Sequence, residues 1–190
     1  TYGVTRTPYV SDGLHYNRPF GVDVGSDGSI YIAEERGGRV VKLNAAGVPQ
    51  WTAGQAGLKN DWDPIDGSFS EAVDVAVGPT NRVYVADRYG RRVQIFNADG
   101  TLFHILYGND EVNFEWLSGL DVAANGDLYV TNDVAHALYV FDAKLNHIAT
   151  IGEPGVAGDD NAHLRDPWGV AVDNSGAIFV VERSNYRVKK

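Results

Sequence analysis

Val83-Tyr84-Val85-Ala86-Asp87, a loop Arg88-Tyr89-Gly90-Arg91, Arg92-Val93-Gln94-Ile95-Phe96, then Asn97-Ala98-Asp99-Gly100: this stretch decides the fold. Two short runs rich in Val, Ile and aromatic residues flank a tight loop, and an Asp-Gly turn follows them. Such runs are strands, and such turns join antiparallel neighbours. Upstream, Val73-Asp74-Val75-Ala76-Val77 supplies a further strand, and downstream Thr101–Tyr107 another.

The same phrase appears four times. Its tyrosine position is held by Tyr31, Tyr84, Tyr129 and Phe179, at intervals of 53, 45 and 50 residues. A unit of that size cannot cover its own apolar face, so neighbouring units must cover it. In each unit, strand a is expected at about 20–24, 73–77, 119–123 and 168–172. Strand b is expected at 29–33, 82–86, 127–131 and 177–181, and strand c at 39–43, 92–96, 137–141 and 186–190. Strand d follows at 48–52, 101–107 and 147–151, and residues 1–10 read as a strand d without its unit. No long helical period occurs. The expected fold is all-β: a β-propeller of four-stranded antiparallel blades, at about 18–54, 71–108, 117–152 and 167–190, in one domain. Four blades either close on themselves or form part of a larger ring.

Residues 84–100 resemble the NHL repeat, with weaker copies at 19–54, 119–152 and 167–190. The resemblance implies a propeller, usually of six blades. It spans binding modules, sensor domains of bacterial receptors, RNA-binding domains and a lyase branch. Asp87-Arg88-Tyr89 is also similar to the peptidyl-amidating lyase branch, where an acid and a functional tyrosine precede the arginine of strand c. That branch holds zinc through histidines at the start of strand a. The matching positions here read Pro19-Phe20-Gly21, Val73-Asp74, Ser118-Gly119 and Pro167-Trp168-Gly169, without a histidine.

Charge narrows the partners. The chain carries a net −9, which disfavours nucleic acid because phosphate binding needs an excess of Lys and Arg. No apolar run is long enough to span a membrane. There is no cysteine, and hence no disulfide or thiol chemistry; there is no methionine either, so Thr1 is a processed end, a boundary or the start of a partial chain. A location outside the cytoplasm, secreted or periplasmic, is the expectation. The d–a loops at 54–71, 108–118 and 152–168 hold eleven acids and two bases. Propeller geometry places these loops beside the b–c loops, so the charge is expected to gather on one face.

Pairs five residues apart bracket three b–c loops: Glu34 with Arg39, Asp87 with Arg92, and Glu182 with Arg187. They read as clasps between strands, or as a charged ring at the channel mouth. The third repeat has Asn132 and Ala137 instead. The expected ligand-binding set is Arg36, Arg88, Tyr89, Asp133, His136, Arg183 and Tyr186 at the inner mouth. Asp74 is placed on the axis, as a ligand group or a backbone cap. Trp62 is the ligand-facing aromatic of the rim, while Phe20 and Trp168 are expected to plug the channel. No catalytic residue and no metal ligand is assigned. No cofactor is expected; calcium at Asp61–Gly67 is the alternative, with the ligand spacing one residue out and no closing Glu. The reading is a non-catalytic binding or scaffold module for a protein, a peptide or a small polar ligand, with self-association if the ring is incomplete. The rival is a propeller enzyme, an amidating lyase or a metal-dependent hydrolase or lactonase, with its site at the mouth.

Overall fold

The computed structural model describes residues 15–54 and 66–190. The strand expected within residues 1–10 lies outside them. The first blade has strands β1 (Pro19–Val24), β2 (Ile30–Glu34), β3 (Arg39–Leu43) and β4 (Pro49–Gly54). The second has β5 (Ala72–Val77), β6 (Val83–Asp87), β7 (Arg92–Phe96) and β8 (Leu102–Tyr107). The third has β9 (Leu117–Val122), β10 (Leu128–Asn132), β11 (Ala137–Phe141) and β12 (His147–Ile151). The fourth has β13 (Pro167–Val172), β14 (Ile178–Glu182), a 3-10 turn (Arg183–Asn185) and β15 (Arg187–Lys189). Each blade is an antiparallel meander in chain order. The propeller expectation stands.

Local chemistry draws the strands. Between β1 and β2, Asp27 Oδ1 accepts the Ser29 amide at 2.9 Å, and Gly28 takes φ +77°. Between β3 and β4, Asn44 Oδ1 accepts the amides of Ala46 and Val48, at 3.0 and 2.9 Å. Side chains that mimic a backbone turn in this way set the hairpin register.

The blades hold together through apolar layers, one at each joint. Tyr31, Ala33 and Val40 of the first blade pack on Val75, Val83 and Val85 of the second. Tyr84, Ala86 and Val93 meet Leu120, Leu128 and Val130 of the third. Tyr129, Leu138 and Val140 meet Val180, with Val170 and Val172 beside it. Burying each large side chain is worth roughly 1.5–3 kcal/mol, which explains why Tyr or Phe recurs at one position.

The innermost strands β1, β5, β9 and β13 pack side by side in that order, whereas β13 and β1 share no extensive packing and approach through the Phe20 and Trp168 rings. Among the described residues the four blades therefore form an arc, without a packed joint between the last blade and the first. Val22 and Val24 on the first blade, and Val181 and Val188 on the last, stay exposed.

The edges of the innermost strands are tied by carboxylates. Asp23 accepts its neighbour Val24 N–H with one oxygen and Val77 N–H of the next blade with the other, both at 2.7 Å. Asp74 does the same for Val75 and Leu120, both at 3.0 Å. Asp121 serves Val122 and Val172, both at 2.7 Å. Unpaired amides along a strand edge are costly when dry, and here three aspartates satisfy them in pairs.

Candidate functional site at the channel mouth

The b–c loops and the ends of the d–a loops meet at one end of the arc. The first amide of each b–c loop donates to the carbonyl that closes a d–a loop or leads into β1. The pairs are Glu35 to Arg18, Arg88 to Glu71, Asp133 to Trp116 and Arg183 to Asp166, at 3.0, 2.9, 3.4 and 3.1 Å.

Below this layer lie the acid–arginine pairs. Arg39 Nε donates to Glu34 at 2.5 Å, Arg92 Nε to Asp87 at 3.0 Å, and Arg187 Nε to Glu182 at 2.5 Å. All three acids are fully buried. Each also receives loop amides: Asn17 N–H on Glu34, Ser70 and Glu71 N–H on Asp87, Arg165 N–H on Glu182. These pairs are clasps that lock the d–a loop to the blade. In the third blade Asn132 replaces the pair, donating through Nδ2 to the carbonyls of Asn113 and Glu115 and accepting from Ala135 N–H.

Above the clasps opens a cleft of about 560 Å³. Its aromatic walls are Phe20, Tyr89, Trp116 and Trp168; its charged groups are Arg18, Arg36, Arg88, Arg183, Glu35 and Glu71. One b–c position alternates in sign around the mouth, from Glu35 to Arg88, Asp133 and Arg183. Arg88 Nη2 donates to Asp133 at 2.8 Å and stacks between Trp116 and Trp168, 5.0 and 5.2 Å from their ring centroids. Glu35 is paired with Arg18 at 2.6 Å. Phe20 and Trp168 touch across the mouth with centroids 6.0 Å apart, and Tyr89 meets Trp116 edge-on at 5.3 Å.

Of the residues expected at the mouth, Arg36, Arg88, Tyr89 and Arg183 line the cleft. Asp133 lies behind Arg88, 5% exposed, with Oδ1 accepting no hydrogen bond. His136 and Tyr186 do not line the cleft. Both take left-handed backbone at the last loop position, with φ 53° and 52°. That conformation turns His136 onto the next loop, where Nδ1 accepts Asp166 N–H at 3.2 Å, and leaves Tyr186 94% exposed. Of the two readings of Asp74, the backbone cap matches the geometry: both of its oxygens accept backbone amides, one of them from the next blade. Burial pushes its carboxyl up to about 6; the Leu120 and Val75 amides oppose the shift, and the Asp121 and Asp23 charges add to it. Trp62, and residues 61–65 of the calcium alternative, lie outside the described residues. Reasoning from sequence missed Arg18, Glu35, Glu71 and Trp116 as lining groups.

Residues 69–96 and 164–190 match the family described as NHL repeat. Two stretches of this propeller therefore carry NHL repeats. The chain is 42% identical over 65 residues to a probable peptidyl-alpha-hydroxyglycine alpha-amidating lyase of Caenorhabditis elegans, covering 34% of this chain and 19% of that protein. It is 30% identical over 129 residues to Protein brain tumor of Drosophila melanogaster, covering 65% of this chain and 12% of that one. Among solved structures, a streptogramin B lyase superposes with TM-score 0.69 at 11% identity, over 98% of this chain and 53% of the lyase. The chain thus spans about half of that structure and a fifth or less of those two sequence relatives. Zinc, which the lyase resemblance implies, does not fit. The starts of the innermost strands hold no histidine, and no group of three His, Asp or Glu among the described residues is placed to hold a metal.

Proposed function

We propose that this NHL-repeat propeller is a non-catalytic binding module that takes a peptide or small polar ligand in the mouth cleft. One observation carries the reading: three b–c loops, the starts of β1 and β13 and the end of a d–a loop bring arginines and aromatic rings together above a layer of buried clasps. Below them the polar groups are engaged in structure; above them flat rings and guanidinium groups face the opening. Rings with polar companions on a rigid support are what binding sites use. The reading invokes no cofactor. The exposed valines at both ends of the arc support self-association as a second property, read by sedimentation equilibrium.

Titration with a pool of short peptides, followed by NMR, tests the site. Shifts confined to Arg36, Arg88, Tyr89, Trp116 and Arg183, weakened by Tyr89→Ala, are expected. Shifts confined to the blade flanks would sink the assignment. The likeness to an amidating lyase favours a second reading, an enzyme. Turnover of a peptidyl-alpha-hydroxyglycine by the purified chain would establish it.

A further inference from the structure

The chain as a whole is acidic, at −9, yet the cleft is lined by four arginines and only two glutamates. Its acids are already engaged. Glu35 holds Arg18, and Asp133 and Glu71 flank Arg88, whose nitrogens lie 2.8 and 4.0 Å from their oxygens. Arg183 is different. It is exposed, lies 4.6 Å from the Trp168 ring centroid, and has no carboxylate within ion-pair distance among the described residues. Its amide is anchored, Arg183 N–H donating to the Asp166 carbonyl, and the side chain of the next residue holds the same partner, Ser184 Oγ–H donating to Asp166 Oδ2. Contact with the indole restricts the guanidinium while leaving N–H groups for a bidentate acceptor.

We propose that Arg183, held against Trp168, is an oxyanion subsite, and that the ligand of the cleft carries a carboxylate or phosphate group next to a flat apolar part. The acidic rim alone points to a cation; the unpaired charge inside the mouth points the other way. This inference rests on the mouth cleft being the binding site.

The test uses three probes on the 190-residue chain: benzoate, phenyl phosphate and benzylamine. NMR of the Trp168 indole N–H and the Arg183 Nε–H reports occupancy. Benzoate or phenyl phosphate is expected to shift both signals saturably, and the stronger of the two identifies the oxyanion. Benzylamine is expected to leave them unmoved. Arg183→Gln should weaken the oxyanion by about tenfold or more, the usual scale for a lost charge-assisted pair. Arg183→Lys, which keeps the charge but not the fork, should fall between. Unchanged oxyanion binding in Arg183→Gln overturns the subsite. Benzylamine binding at the mouth without either oxyanion overturns it too, but leaves the cleft as the binding site. Silence from all three probes removes the subsite; peptide shifts at the same residues then decide whether the cleft itself survives.

Discussion

At the scale of single residues, Asp87 shows how tightly this propeller is wired. Its carboxylate is fully buried and receives Arg92 Nε and two loop amides. A Cβ on Gly90 would come within 2.2 Å of Asp87 Oδ2, so only glycine fits there. Asp87→Ala strands a buried guanidinium and two amides together. Breaking a buried pair from one side typically costs about 3–5 kcal/mol. Urea unfolding should therefore show a loss of that order, and an unchanged midpoint would mean that the clasp is idle. Tyr89→Ala, on an exposed ring, should leave the midpoint nearly where it was.

At the scale of elements, the loops decide what the mouth contains. The strands were legible because their composition and turns repeat. The clasps were legible because acid and arginine keep the same spacing in three blades. The side chains of the b–c loops were not, because loop conformation sets their direction. Gly38 occupies the last loop position in the first repeat, with φ 60°, and was the available clue that Arg91, His136 and Tyr186 adopt left-handed backbone. For Asp74 the ligand and backbone-cap readings stayed level in the sequence because its second acceptance, from Leu120, crosses between blades that the linear order separates by 46 residues.

The 152–166 loop makes its own prediction. His163 Nδ1 meets Asp160 Oδ2 at 2.8 Å and Nε2 meets Glu153 Oε2 at 3.3 Å. Hydrogen bonds to Asp160 and Glu153 raise the imidazole above its ordinary value. Hydrogen bonds from His163 lower Asp160 to about 2. A raised imidazole stabilises fully below its unfolded value and loses that contribution as pH rises through the folded one. A lowered carboxyl contributes above its unfolded value and loses that as pH falls toward about 2. The loop should thus be held best between those limits. NMR titration of the His163 ring should give a midpoint above 6.5, and Glu153→Gln should bring it down.

At the scale of the whole molecule, the axis sets the acid dependence of this propeller. Asp74 is pushed up to about 6, so the folded state keeps a proton that the unfolded chain releases near 3.8. Stability from this group therefore falls as pH rises from about 4 to 6, by roughly 3 kcal/mol if nothing compensates. Unfolding measured across that range should show the decline, and Asp74→Asn, which cannot ionise, should flatten it. An equal slope in both proteins would mean that the axis is wetter than its packing indicates.

The three axial carboxylates do not sit at one level. Asp23 and Asp121 hold the fifth place of their strands and Asp74 the third, and each reaches forward to the following blade. The tandem array therefore has an odd–even parity. Duplicating the third blade alone would set two acids competing for a single N–H, whereas copying the second and third as a couplet would preserve the alternation. Engineered lengthening of this propeller should succeed in steps of two and stumble in steps of one.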